Sequence, residues 1–255
     1  MVLGALGGFM KDIRLRSVLV LFVLSVCVNA TATTIDFSTL GPTPMGGDLL
    51  SSSYMDPGTG LIVQGYYFND ITEKWSTTGA GLYARNQTND HGLGVCSPSD
   101  RESNGECPGP DGGGDFNELD NEDARELIRL ELPAGYEWVS VQLSSLDTNG
   151  NLNISEFGRL YANMDGDPDT IGAVLEEFQG GVDPIEALLF IPASSSTARY
   201  LFFEPIDWAS PTTNPDNNDF LVYQATIERR RVFEPGTLGV LGIGLVALGR
   251  LRRRR

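Results

Sequence analysis

Histidine is almost missing from this chain: His91 is the only one in 255 residues, and cysteine occurs three times, as Cys27, Cys96 and Cys107. A hydrolytic triad built on imidazole therefore has one candidate base, which sits in the turn-like stretch "NDHGLG". No Gly-x-Ser-x-Gly elbow accompanies it anywhere in the sequence, which argues against that chemistry. His91 reads as a surface turn residue, and its spacing from Cys96 and Cys107 fits no zinc ligand set. Positive charge is scarce in the body: residues 33–231 hold 10 basic against 32 acidic residues, a net of about −22. Such a surface is repelled by nucleic acid and by anionic lipid, so no nucleic-acid partner is expected. Internal repeats are absent, and long apolar runs are confined to the two ends.

The first end has the form of an export signal. From Met10, the alternative start to Met1, "MKDIRLRSVLVLFVLSVCVNATA" has a basic head, an apolar run from Val18 to Val28 and small residues at "VNA" and "ATA". Residues 1–32 are thus expected to be a signal peptide, cleaved after Ala30 or Ala32. Val26 is too bulky for the residue before a lipidated cysteine, so Cys27 leaves with the signal. Two cysteines then remain, bracketing the polar stretch "CSPSDRESNGEC". In an oxidising compartment Cys96 and Cys107 are expected to pair, closing a short loop worth roughly 2–3 kcal/mol.

Between the ends, short alternating segments are bounded by Gly, Pro, Asn and Asp. "TTIDFSTL", "TGLIVQGYYF", "GAGLYARN", "ELIRLELP", "YEWVSVQLSSL", "FGRLYANM", "ARYLFFEP" and "DFLVYQATIERR" all predict strands. In "RELIRLELP" Leu127, Arg129 and Glu131 alternate with Ile128, Leu130 and Leu132, as a sheet with one wet face requires. "DTIGAVLEEFQG" predicts two or three turns of helix, between Asp169 and Gly180. The expectation is one all-β domain, residues 33–231: an antiparallel β-sandwich, jelly-roll-like, with one or two short helices. A signal helix precedes it and a hydrophobic helix follows it.

The other end reads "VFEPGTLGVLGIGLVALGRLRRRR". Its 15 uncharged residues from Pro235 to Gly249 reach about 22 Å as a helix, against a hydrocarbon core of roughly 30 Å. Five glycines weaken the segment further, and arginine side chains can snorkel across part of the gap. It is a marginal span, with the cluster Arg250, Arg252, Arg253, Arg254 and Arg255 on the cytoplasmic side and the acidic body outside. Residues 232–255 resemble the PEP-CTERM sorting signal of Gram-negative bacteria. Val232, Phe233, Glu234, Pro235, Gly236 and Thr237 align with its motif, with Phe233 where the family has a first proline. The order of Gly92–Val95, Glu118–Asp120 and the "ELIRLEL" strand is similar to exported β-sandwich proteins bearing that tail. The resemblance implies transient anchoring in the inner membrane, recognition by an exosortase, and release to the cell surface or a biofilm matrix. A plain, uncut membrane anchor is the simpler alternative.

Several acidic constellations bear on metal binding. "DGGGDFNELDNED" offers Asp115, Glu118 and Asp120 as candidate oxygen ligands for Ca2+. "DTNGNLNISEFG" begins like a calcium loop, but Leu152 replaces the turn glycine and Gly158 the bidentate glutamate. It reads instead as a hairpin connection turning at Asn149–Gly150. Asp165, Asp167 and Asp169 in "MDGDPDT" read as a solvated turn. Tyr66, Tyr67, Trp75, Trp138 and Trp208 are candidate sugar-stacking aromatics, with core burial the commoner fate of such strand residues. The functional expectation is a non-enzymatic surface or matrix protein that binds exopolysaccharide or other envelope components, with no catalytic residues. The alternative is a secreted polysaccharide hydrolase using paired carboxylates.

Overall fold

The computed structural model describes residues 31–40, 48–49, 51–87, 90–98, 119, 124–146, 148–149, 154–206 and 220–230. Its first strands are β1 (Ala32–Asp36), β2 (Asp48–Leu49), β3 (Ser53–Met55), β4 (Ile62–Asn69), β5 (Lys74–Ser76), β6 (Gly81–Gln87), β7 (Asp90–Cys96) and β8 (Glu126–Glu131). There follow β9 (Tyr136–Ser144), β10 (Thr148–Asn149), β11 (Ile154–Ser155), β12 (Phe157–Asn163), β13 (Val174–Gln179), β14 (Leu188–Phe190), β15 (Tyr200–Pro205) and β16 (Leu221–Arg229).

Two seven-stranded antiparallel sheets result, and β10 and β11 pair apart from them. Sheet A runs β14-β9-β16-β7-β6-β2, with β1 also on β16; sheet B runs β13-β12-β15-β8-β4-β3, with β5 also on β4. β1 and β7 share one edge of β16: β1 takes Gln224 to Glu228, and β7 meets Val222. From β7 onward the long strands cross repeatedly between the sheets, so pairing partners are far apart in sequence. Ala32–Arg229 is one compact unit; Met1–Thr31 and Arg230–Arg255 fall outside it.

The sheets face each other across a dry core. A methyl group built on Gly65 of β4 would lie 3.2 Å from both Leu82 of β6 and Val95 of β7, so side chains of sheet A reach the backbone of sheet B. Val63, Leu130, Leu160 and Phe203 from sheet B join Leu93, Val141, Val222 and Ile227 from sheet A in one buried cluster. Trp138 lies in that core, with its indole N–H donating to the Ala198 carbonyl at 2.8 Å. A buried indole needs such a partner, because an unpaired N–H away from water costs about 1–3 kcal/mol.

Several expectations are corrected. The segment 169–180 is not a helix: Val174–Gln179 forms β13 on the edge of β12. Gly172 and Gly180 leave too few residues between them to nucleate an isolated helix. The β12 edge supplies backbone partners and sets Arg159 opposite Glu177, with a guanidinium–carboxylate bond of 2.8 Å. Among the described residues, the named helical elements are the 3-10 turns Phe37–Leu40 and Pro168–Thr170. The strand expected over "TTIDFSTL" stops at Asp36. Its carboxylate accepts the Ser38 N–H at 3.0 Å and the Ser38 hydroxyl at 2.6 Å, which turns the chain. His91 is no turn residue but lies on β7. A short hairpin does pair β10 with β11, but its register sets Thr148 opposite Ser155 and Asn149 opposite Ile154. Asn149 is therefore a strand residue and not part of the two-residue turn expected at Asn149–Gly150.

Candidate functional site

The outer face of sheet A follows from register. Leu189, Val141, Ala225 and Ile35 lie in line across β14, β9, β16 and β1, and all four point into the core. Because side chains alternate along a strand, the rows on either side point outward. One of them is Leu188–Gln142–Gln224–Asp36; the other is Phe190–Ser140–Thr226–Thr34.

Polar groups link these rows across the strands. Thr34 and Thr226 hydroxyls are 3.0 Å apart. The Gln224 amide donates to Asp36 at 3.2 Å, and the Gln142 amide donates to Glu186 at 3.3 Å. At the β14 edge the face turns apolar, with Phe190 68% and Leu188 48% exposed. A large aromatic left two-thirds exposed beside hydrogen-bonding amides is the most ligand-like feature of the described surface.

His91 and Tyr223 stand at one end of the same face. The β16–β9 register slips between Val222 and Gln224, so Tyr223 is the extra residue of a bulge. Opposite it, Gly92 takes φ 138° and lies hard against the backbone of Val222. The two imperfections bring the His91 and Tyr223 rings edge to face at 4.0 Å. His91 Nε2 lies 3.5 Å from Glu186 Oε1, an ion-pair separation. Tyr223 resists ionisation, chiefly through burial and then through the nearby carboxylates of Asp36 and Glu186. Ser144 hydroxyl contacts the His91 backbone, taking its N–H at 3.2 Å and donating to its carbonyl. That engages the serine with the main chain rather than with the imidazole, as a nucleophile–base pair would require.

The outer face of sheet B differs. Tyr66, Leu127, Tyr161 and Phe202 form a second buried cluster there, with Trp75, Ile171 and Tyr200 against it. Arg129 lies over the rings of Tyr66 and Tyr200, at 5.5 Å and 5.1 Å. It donates to Gln64 at 2.6 Å and to the Gly166 carbonyl at 2.8 Å. Arg125 covers Phe68 and Trp75 and pairs with buried Glu204, which also accepts from Tyr161 at 3.2 Å. Burial raises the pKa of both Tyr66 and Tyr161; nearby Arg129 opposes the rise at Tyr66, and Glu204 adds to it at Tyr161. The segment carrying Gly166, Asp169 and Ile171 folds over this face, and Asp169 accepts the Trp75 N–H at 3.1 Å. Sheet B thus closes its aromatic face with its own loop and guanidinium groups.

Of the candidate residues read from sequence, Cys96 is buried and disulfide-bonded. Cys107, the calcium candidates Asp115, Glu118 and Asp120, Trp208, the sorting motif 232–237 and the arginine cluster lie outside the described residues. Asp165 and Asp167 spend their carboxylates on the turn, accepting from Asp167 N–H at 3.2 Å and Asp169 N–H at 3.0 Å. Among the described residues no group of three or more acidic, histidine or cysteine side chains is arranged to hold a metal ion. Among them, too, no helix is long and apolar enough to cross a membrane. Tyr66 and Trp138 are buried, and Tyr67 packs partly buried against the main core. Gln142, Gln224, Glu186 and Phe190 lie in no motif that marks them in the sequence. "ALLFI" reads as a uniformly buried run, and its alternate exposure follows only from its place at a sheet edge.

No family model and no curated protein matches the sequence. Among solved structures, the chain is similar to the K1 cleaved adhesin domain of Lys-gingipain (Kgp) from Porphyromonas gingivalis W83. That likeness spans 78% of this chain and 95% of the other, at 12% identity and a TM-score of 0.27. A similarity of that size bears on neither fold nor function.

Proposed function

We propose that the chain is an exported, non-enzymatic protein of the cell surface or extracellular matrix. It is sorted by a PEP-CTERM-type tail, and its sandwich binds exopolysaccharide or another envelope component. The strand orders β14-β9-β16-β7 and β13-β12-β15-β8 are read as jelly-roll connectivity, the architecture expected for such a domain. The partners in this reading are an exosortase-type enzyme and, transiently, the inner membrane.

One observation carries the reading. β1 pairs with β16 so that Ala32 lies opposite Glu228, bringing the first and last strands of the sandwich to one corner. Ala32 is itself at the expected signal-cleavage point, and only Arg230 and Arg231 separate Arg229 from the motif beginning at Val232. The described sandwich strands thus fall between the two expected processing regions. Cysteine usage supports export as well, since Cys96 is oxidised.

The test is mass spectrometry of the protein recovered from the outer fraction of the producing cell. The expected species begins at Thr31 or Thr33 and has lost the terminal arginines; deleting the exosortase leaves those arginines in place. Intact chain dissolved in the cytosol, with both ends uncut, overturns the reading.

A further inference from the structure

Resting on that reading, we propose that the outer face of sheet A is the polysaccharide-binding face and that its ligand is an uncharged glycan chain. The two outward rows run across four strands, about 14 Å at the usual strand spacing. That is a strip suited to an extended chain. Gln142, Gln224, Thr34 and Thr226 supply amides and hydroxyls, groups that both donate and accept as sugar hydroxyls do. Phe190, 68% exposed in the same rows, offers its ring beside them.

Charge decides the class of glycan. Neither row contains a lysine or arginine, while Asp36 lies within one and Glu186 beside it. An acidic polysaccharide would meet these carboxylates with no arginine or lysine in the rows to offset them, on a body already carrying a large negative excess. An uncharged chain avoids that repulsion. It also leaves the carboxylates in their present role, orienting the Gln142 and Gln224 amides. A basic protein would have to compete for those same carboxylates, so it suits the face less well.

The test uses affinity electrophoresis of the full-length chain in detergent, in gels containing the producing organism's extracellular polysaccharide. Anion exchange first divides that polymer into an uncharged and an acidic fraction. The wild type is expected to be retarded by the uncharged fraction, without sensitivity to salt. Phe190→Ala and the pair Gln142→Ala/Gln224→Ala are each expected to weaken retardation by about tenfold. Ile71→Ala, at an apolar residue 95% exposed and outside these rows, should leave it unchanged. Melting curves of all variants exclude loss of fold. Retardation by the acidic fraction alone, or binding abolished by salt, overturns the ligand class. Unchanged binding in both Phe190 and glutamine variants overturns the face while leaving the surface-protein reading in place. Binding to neither fraction removes both this inference and the polysaccharide part of that reading.

Discussion

Gly92→Ala is expected to be among the most damaging single-methyl additions in the sandwich. Two separable costs meet at this residue. Its φ of 138° is one that side-chain-bearing residues rarely adopt, and holding alanine there costs about 1–3 kcal/mol. The new methyl would also lie 2.6 Å from the Val222 carbonyl oxygen and 2.9 Å from the Tyr223 Cα. These are backbone atoms of β16, held by β9 on the other side, so they cannot rotate away as a side-chain tip can. Overpacking of this kind costs a further 1–3 kcal/mol or so. The sum, about 2–6 kcal/mol, is a large part of the roughly 5–15 kcal/mol that holds a domain folded. At about 2–4 °C per kcal/mol for a domain of this size, the melting midpoint should fall by roughly 4–24 °C. Gly60→Ala and Gly135→Ala are the controls: both have positive φ, at 82° and 83°, but a methyl there meets nothing within 4 Å. They should lose only the conformational part, about 1–2 kcal/mol. Circular dichroism melts of the three variants side by side provide the assay. If Gly92→Ala melts no lower than the controls, the reasoning about the close approach of Gly92 to the β16 backbone is wrong.

Three further outcomes are expected. Glu204→Gln removes the carboxylate that holds Arg125 and accepts from Tyr161. A urea midpoint should show a loss of about 1–3 kcal/mol, below the cost of breaking a fully buried pair because Arg125 is half exposed and can hydrate. Glu176 has its pKa raised, first by burial and then by Asp183. Its folded state therefore favours the proton, so its stabilising contribution is complete below the ordinary glutamate pKa and is lost as pH rises through the elevated folded value. Glu176→Gln should flatten that decline in melts across the acidic range; an unchanged slope would refute the assignment. Reduction of the Cys96 disulfide should lower stability by roughly 2–3 kcal/mol if its partner is Cys107, the short loop expected from sequence. Denaturant melts with and without reductant measure this, and equal midpoints would contradict it.

Period-two alternation is legible without tertiary information when a strand is paired on both edges, as β8, β9 and β16 are. In "RELIRLELP" the split between Ile128, Leu130, Leu132 and Leu127, Arg129, Glu131 was readable directly. Leu127 is nonetheless buried on the outer side, within the second aromatic cluster. Local pattern assigns a residue to one of two faces but is silent on what covers that face. β13 reads as helix in the sequence for a related reason. Leu175, Glu176 and Glu177 suit a helix as well as a strand, and only the waiting edge of β12 decided between them.

The amino-acid sequence alone determined the acidic body, the all-β class and the positions of most long strands. Each of these rests on composition or on neighbours a few residues apart. Which sheet face stays open was decided by tertiary structure alone. Gln142 and Gln224 become neighbours, and Phe190 reaches solvent, only through pairing between strands far apart in the chain. The loop bearing Gly166 and Ile171 closes the other sheet by contacts just as remote. Alternation repeats identically on both faces of a strand, so the difference between a covered face and a free one is carried by long-range register.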